Sequence, residues 1–322
     1  MPASARLILG GIRAAGAVSP RLAGRLALRL FFTTAPRMAV RGADLATHRD
    51  AQRERIPISG SEIVAYRWGR GERAVLLMHG WQGRASQFAP LVRELVAEGF
   101  RVVAFDAPAH GDSPGRSTDL RDWVTAAARL QRGDGPFHAI VGHSFGGLAA
   151  LTAARTTVPS SRVAVIAGAS APAAFLAEFS RTLRLEPAVA ARFEQRFGAR
   201  FGLDREGIAN AYDAVRDPLP SGTELLVVHD RTDRRMPDAD ALRLHTAHAG
   251  RSHLLRTVGF GHNRVLQADP VLDAVIAFTG TGIAGLGTRG TSGGDTTSAG
   301  DGAVETGPRI DGPPESQVVT AR

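Results

Sequence analysis

From about residue 54 the chain alternates short apolar runs with longer segments in which apolar residues recur at helical spacing. The helical segments include residues 85–98, 118–130 and 147–156. Such alternation predicts an α/β fold with a mainly parallel sheet, helices on both faces, and chemistry at the carboxyl ends of the strands. The predicted strands are residues 63–68, 74–78, 101–105, 137–141, 162–166, 224–228 and 252–257.

The alternation is interrupted by residues 171–222, which we call the cap insert. This segment has no strand pattern and contains several stretches of helical periodicity rich in Phe, Arg and Ala. We predict a helical cap inserted into a core made of residues 44–170 and 223–280. Six apolar residues of the cap insert could line an apolar pocket or belong only to its packing core, the interpretation we favour for any single one: Phe175, Leu176, Phe179, Leu183, Phe193 and Phe197.

The two ends of the chain differ from the core. Residues 281–322 are rich in Gly, Thr and Ser, and we predict disorder there because they offer too little apolar surface to offset chain entropy. Residues 1–43 form an N-terminal extension in which residues 3–32 have an amphipathic helical pattern. Ser19 is a candidate N-cap and Pro20 a first helical residue. The polar face carries Arg21, Arg25 and Arg29.

The distribution of charge narrows the possible partners. Residues 1–43 contain seven arginines and no acidic residue, whereas the rest of the chain carries 32 arginines against 31 acidic residues and is nearly neutral. We therefore expect no nucleic-acid partner. The basic extension could contact anionic lipid as a peripheral helix, or its leucines could pack on the rest of the protein, which is the interpretation we favour. The expected location is the cytoplasm, with peripheral membrane contact left open.

The chain contains no cysteine, so disulfides and thiolate metal sites are excluded.

The most informative stretch of the chain is residues 137–150, where a buried strand is followed by a glycine-flanked turn at Ser144 and a helix of small residues. This is the pattern of a nucleophile elbow. Two other Gly-x-Ser-x-Gly matches lack this context: Pro114 follows the serine of one and has no N–H to donate, and residues 290–294 have no preceding strand.

A nucleophilic serine needs a base and an acid that orients the base. His262 lies in a Gly-rich turn just after a late predicted strand, where a loop could carry an imidazole over the sheet edge. Two aspartates follow the strand at residues 224–228. Asp230 ends that strand and can cap the turn, whereas Asp233 lies farther along the loop and is the better candidate acid.

An oxyanion hole requires two backbone donors aimed at one point. The N–H of Phe145, directly after the candidate nucleophile, is one candidate. The other is the N–H of Trp81, because Gly80 permits a turn after the strand at residues 74–78.

Together these residues resemble the α/β-hydrolase superfamily of serine hydrolases over about residues 55–280. The chain order Ser144, Asp233, His262 matches the family, as does the turn at His79-Gly80-Trp81. The segment from Asp106 to Ser113 also matches a family loop, with Ala109 in place of a glycine. The cap insert falls where the family places its lid.

The resemblance implies hydrolysis of a small-molecule carboxylic ester or related acyl substrate through a Ser-His-Asp triad and an acyl-enzyme. No metal, nucleotide or redox cofactor is required for such a reaction. In the family, Asp106 and His110 shape the loop rather than react. The alternatives are an amidase, peptidase or cofactor-free peroxidase of the same fold, or a non-catalytic binding protein.

Overall fold

The computed structural model describes residues 3–286 and 317–320. Its strands form one nine-stranded sheet in the order β1-β2-β4-β3-β5-β6-β7-β8-β9. The pairs β1–β2 and β2–β4 are antiparallel and all the others are parallel. The strands are β1 Gln52–Ile58, β2 Ser61–Trp68, β3 Ala74–Met78, β4 Arg101–Asp106, β5 Phe137–His143, β6 Arg162–Ile166, β7 Glu224–Asp230, β8 Ser252–Val258 and β9 Gln317–Thr320.

Helices cover both faces of this sheet. Leu76 faces a layer formed by α5, α6 and α10, whereas Leu77 faces a layer formed by α4 and α12, as the alternation of side chains along β3 requires. The helices are α1 Ala3–Val18, α2 Pro20–Phe31, α3 Leu45–Asp50, α4 Ala89–Ala97, α5 Leu120–Asp134, α6 Phe145–Thr156, α7 Pro172–Leu183, α8 Pro187–Phe201, α9 Arg205–Tyr212, α10 Asp238–Ala247, α11 Gly261–Arg264 and α12 Asp269–Thr281.

Strand β1 is not among the predicted strands. Its first four residues are exposed and include Arg53, Glu54 and Arg55, so this part of the chain has no apolar alternation. It becomes a strand because it pairs along its whole length with β2 in a hairpin at the sheet edge. Tertiary pairing, rather than a local pattern, therefore places this element.

The N-terminal extension and the cap insert pack on each other. Helix α2 lies against α8, and an added Cβ on Gly24 would come within 2.8 Å of the Cβ of Arg192. Ala23 and Ala27 of α2 are fully buried, while Arg21, Arg25 and Arg29 are exposed. Ser19 caps α2 by accepting a hydrogen bond from the N–H of Leu22. Helices α7, α8 and α9 occupy the cap insert between β6 and β7.

In two places the structure of the C-terminal region differs from what its composition suggests. Within the part of the chain that the structure describes, Asp269–Leu286 is long and apolar enough to cross a bilayer, but Val271, Val275 and Phe278 are buried against the sheet. Gln317–Thr320 pairs with β8 as an edge strand, although residues 281–322 are predicted to be disordered. Two adjacent valines favour a strand there. Residues 287–316 lie outside the described residues.

Candidate active site

The turn between β5 and α6 holds Ser144 in a strained conformation. Its φ of 54° and ψ of −121° are seldom adopted by residues with a side chain. The turn can form only because two glycines flank it: a Cβ on Gly142 would collide with the carbonyl of Gly146, and one on Gly146 with the carbonyl of Met78. The N–H of Ser144 donates to the carbonyl of Ile166 at 2.9 Å, which ties the turn to the neighbouring strand.

Ser144, His262 and Asp233 form a continuous line of hydrogen bonds. The Oγ of Ser144 lies 2.9 Å from Nε2 of His262, and Nδ1 of that ring lies 2.7 Å from Oδ2 of Asp233. His262 sits in the short helix α11, after the turn that ends β8. The side chain of Asp233 is fully buried and that of His262 is 8% exposed, so water competes little for this bond.

The surroundings of Asp233 favour its ionised form, in which it can accept a hydrogen bond from the imidazole of His262. Burial raises the pKa of its carboxyl, but hydrogen bonding and charge from His262 and the N–H groups of Arg235 and Met236 outweigh burial. The pKa of Asp233 therefore lies below its usual range. A carboxylate that remains ionised and accepts the Nδ1 proton fixes the tautomer in which Nε2 can accept a proton from Ser144.

Asp230, the alternative carboxylate, is engaged elsewhere. Its side chain accepts hydrogen bonds from the N–H and hydroxyl of Thr232, from the hydroxyl of Thr257 at 2.8 Å and from the N–H of Phe260 at 3.0 Å. Burial raises its pKa, but these hydrogen bonds, led by those of the two threonines, lower it to about 2. Asp230 thus joins the turn after β7 to the end of β8, and this fixes the separation of Asp233 and His262.

Two buried histidines fix the loop that follows β3. Nε2 of His79 accepts the N–H of Ala107 at 3.0 Å, and its Nδ1 lies 2.7 Å from the carbonyl of Gly80. Nε2 of His110 accepts the N–H of Gln82 at 2.9 Å. Burial lowers the pKa of His79 to about 4 and that of His110 to about 3. Both rings are therefore neutral, and each has one nitrogen free to accept a backbone proton.

That loop brings Trp81 beside the elbow. An added Cβ on Gly80 would lie 2.9 Å from the Cβ of Ser144, so only glycine allows this approach. The Trp81 ring meets that of Phe145 edge-on at 5.3 Å. Among the described residues, neither the backbone N–H of Trp81 nor that of Phe145 donates to a protein acceptor, whereas the indole N–H of Trp81 donates to the carbonyl of Thr33 at 3.0 Å. Both predicted oxyanion donors thus lie next to Ser144 and remain available.

A cavity of about 690 Å³ opens onto Ser144 and His262. Its remaining walls come from segments far apart in the sequence. The core contributes Gly80, Trp81, Gln82, Gln87, His143, Phe145 and Asn263, and the loop after β7 contributes Arg235 and Met236. The cap insert contributes Phe175, Glu178, Phe179 and Thr182. The N-terminal extension contributes Leu30, Phe31, Thr33, Pro36, Arg37 and Met38.

The contribution of the N-terminal extension is absent from the sequence prediction. Phe31 meets the rings of Phe179, Phe193 and Phe197 at 5.2 to 5.9 Å, which fixes the extension to the cap insert above the cavity. The signal that could have revealed it is the pair Phe31-Phe32 at the end of an amphipathic helix. A helix that packs on its own domain would bury such a pair.

His143 is a second residue that sequence reasoning did not identify. It lines the cavity, and its Nε2 donates to the backbone carbonyl of His262 at 2.9 Å. Burial, with a smaller effect of His262, lowers its pKa to about 3. His143 thus holds the loop of His262 against β5.

No group of three or more His, Asp or Glu in the described part of the chain could hold a metal ion.

Comparisons with known proteins find relatives named as hydrolases that match part of this chain. The chain is 35% identical over 157 residues to a pimeloyl-[acyl-carrier protein] methyl ester esterase of Stenotrophomonas maltophilia, a match that covers 46% of this chain and 58% of the relative. It therefore spans little more than half of that relative. A serine hydrolase-like protein of Danio rerio is 33% identical over 123 residues, or 34% of this chain and 36% of that protein.

Solved structures share the fold at low sequence identity. An esterase of Pyrococcus furiosus superposes with a TM-score of 0.59 at 16% identity, covering 77% of this chain and 97% of the esterase. The mouse alpha/beta hydrolase domain-containing protein 10 gives 0.56 at 18% identity, with 73% and 100% covered. The model of the alpha/beta hydrolase family matches residues 75–286, well over half of the chain. The chain belongs to the alpha/beta hydrolase family.

Proposed function

We propose that the protein is a serine hydrolase that cleaves carboxylic esters through Ser144, His262 and Asp233. The observation that carries the proposal is the line of two hydrogen bonds, 2.9 and 2.7 Å long, from the Ser144 hydroxyl through His262 to Asp233. A strained serine with a poised imidazole and a buried carboxylate is the arrangement needed to activate a hydroxyl. The resemblance to a methyl ester esterase supports an ester as the substrate.

The reaction follows from the position of each group. Nε2 of His262 takes the hydroxyl proton as Oγ of Ser144 attacks the ester carbonyl carbon, and the carbonyl oxygen becomes an oxyanion. The N–H groups of Trp81 and Phe145 stabilise that charge. When the tetrahedral intermediate collapses, His262 returns the proton to the departing alkoxide. His262 then deprotonates a water, which attacks the acyl carbon; the bond from that carbon to Oγ of Ser144 breaks, and Oγ takes the proton back from His262 as the acid is released.

The cavity walls favour a small-molecule substrate with an apolar acyl part. Phe145, Phe175 and Phe179 present aromatic rings to the space above Ser144. Charged side chains are confined to a few positions on its walls. An aliphatic acyl chain would bury apolar surface against these rings. The chemistry requires no cofactor, because the three side chains and two amides complete both half-reactions.

The test is covalent labelling with a fluorophosphonate together with hydrolysis of 4-nitrophenyl esters of increasing chain length. We expect the wild-type protein to be labelled and active, and Ser144→Ala to lose both properties while it keeps its far-ultraviolet circular dichroism. Ser113→Ala is the matched control, since Ser113 lies in the second Gly-x-Ser-x-Gly match and its hydroxyl donates to the carbonyl of Asp106. Labelling of Ser144→Ala would refute the assignment, and a protein that is neither labelled nor active would support a binding role.

A further inference from the structure

A second cavity of about 520 Å³ adjoins the active-site cavity. Thr33 and Arg37 line both of them. Four arginines and no acidic side chain belong to its walls. The full lining is Leu28, Arg29, Phe32, Thr33, Thr34, Ala35, Arg37, Gly115, Arg116, Ser117 and Arg200. We call this space the basic cavity.

The positive charge of the basic cavity is largely uncompensated. Among the described residues, no ion pair joins Arg29, Arg37 or Arg116 to a carboxylate. Arg200 does contact Asp119, at 3.2 Å, but that carboxylate is also bound by Arg121 at 2.9 Å. One acidic group therefore serves two guanidinium groups, and the cavity keeps a surplus of positive charge.

Two of the arginines are already held in place. Arg37, which lines both cavities, donates to the carbonyls of Gly111, Ser113 and Gly115, and these bonds fix its guanidinium. Arg200 lies over the ring of Phe32 at 4.3 Å and donates to the hydroxyl of Ser117 at 3.1 Å. Because these groups are ordered before any ligand arrives, little side-chain entropy is lost when an anion binds.

We propose that the basic cavity binds a phosphate-type dianion. Guanidinium groups match the oxygens of phosphate in geometry and charge, and several of them around one small cavity favour a doubly charged group over a single carboxylate. Phe32 and Leu28 give the cavity an apolar side, so a short organic part can accompany the anion. The anion can be carried by the ester substrate, reaching past Arg37, which lines both cavities, or it can be a free phosphate.

Calorimetry with inorganic phosphate tests the site without reference to catalysis. The test variant is Arg29→Gln with Arg116→Gln, since both residues are exposed and neither forms an ion pair within the described part of the chain. Arg25→Gln is the matched control, because Arg25 lies one turn before Arg29 on the exposed face of α2 and does not line the cavity. We expect phosphate affinity to fall about tenfold or more in the double variant and to stay unchanged in the control. Equal affinity in all three proteins, or no binding to the wild type, would overturn the proposal.

Kinetics with two esters then identify the source of the anion. One is a 4-nitrophenyl ester whose acyl chain ends in a phosphate monoester, and the other ends in a methyl group. If the substrate carries the anion, KM for the phosphate ester rises about tenfold in the double variant while kcat/KM for the neutral ester is unchanged. If the ligand is free phosphate, both esters respond equally to added phosphate. This arm rests on the proposed ester hydrolysis, but the calorimetric arm does not, so inactivity toward both esters would count only against the proposed function.

Discussion

At the scale of single residues, Ser144 and Ala109 are two of the five residues with side chains whose positive φ favours glycine in the described part of the chain. Ser144 has a φ of 54° and Ala109 a φ of 63°. The strain at Ser144 places its hydroxyl beside His262. Ala109 stands where the family loop has glycine, and it keeps the loop's left-handed turn at a cost of about 1 kcal/mol. The N–H of Ala109 donates to the carbonyl of Pro114 at 2.8 Å, so surrounding contacts hold the loop despite the substitution.

The clearest prediction at this scale concerns Asp233. Asp233→Asn removes the acceptor that fixes the His262 tautomer, because an amide nitrogen can donate to Nδ1 and leave the proton on Nε2. We expect kcat for ester hydrolysis to fall by a factor on the order of 10⁴ with the fold intact, as in the established serine-protease precedent. Steady-state kinetics and circular dichroism measure the two effects.

Asp230→Asn provides the control for that prediction. Since Asp230 accepts hydrogen bonds from Thr232, Thr257 and Phe260, its substitution is expected to lower the melting temperature. Activity per folded molecule should change far less than in Asp233→Asn. If Asp230→Asn were the variant with the larger loss of kcat, the acid would have been assigned to the wrong carboxylate.

At the scale of elements, the N-terminal extension and the cap insert act as one structure. Helix α2 packs on α8, and Phe31 joins the aromatic cluster of the cap insert. This contact leaves Arg21, Arg25 and Arg29 on the exposed side of α2. Contact of the arginine face with a membrane surface remains a prediction. The opposite face of α2 packs on α8.

A pair of glycine substitutions measures the packing of α2. Gly11→Ala in α1 meets nothing within 4 Å and should raise the free energy of unfolding by about 1 kcal/mol, as expected for helix propensity. Gly24→Ala brings a Cβ within 3.0 Å of the Arg192 backbone, so we expect a loss of about 1 kcal/mol instead. Urea unfolding measures both. Equal stabilisation by the two variants would mean that α2 does not pack on α8 in solution.

The cap insert is expected to control acyl-chain preference. Phe179→Ala enlarges the cavity above Ser144, so kcat/KM should shift toward longer 4-nitrophenyl esters. Phe201→Ala is the matched control, because Phe201 ends α8 and does not line that cavity. The ratio of kcat/KM for long and short esters is the measurement. The same shift in both variants would point to loosening of the cap insert rather than to a changed pocket.

At the scale of the whole molecule, the sequence predicts those elements and contacts that a local sequence pattern specifies. Buried strands such as β3 and β6 are predicted to the residue, because continuous apolar runs bounded by turns specify them. The glycines around Ser144 and the chain order of Asp233 and His262 predict which side chains meet. Strand β1 and the cavity wall at Phe31 are not predictable in this way, since β1 depends on hairpin pairing with β2 and Phe31 on contacts with the distant cap insert. The basic cavity likewise joins residues that are far apart in sequence.

At the same scale, most histidines of the molecule have a lowered pKa. Burial lowers the pKa of nine histidines, to about 4 for His79 and about 3 for His110 and His143. All three of these rings hold backbone groups of the loops around Ser144. The native state therefore resists protonation in a pH range where the unfolded chain, with ordinary histidine pKa values near 6.5, takes up protons readily.

This difference predicts a stability that falls in mild acid. As pH falls from ~6.5 toward ~4, these nine histidines take up more protons in the unfolded state than in the native state, so stability decreases; at higher pH they are neutral in both states and contribute little to the pH dependence of the free energy of unfolding. Each such histidine contributes up to about 1.4 kcal/mol per pH unit. His143→Gln removes one of them, so its stability should depend less steeply on pH than that of the wild type, with parallel behaviour above pH ~7. Urea unfolding from pH 4.5 to 8 provides the curves, and a wild-type curve that is flat below pH ~6.5 would show that the histidines around Ser144 are not held neutral.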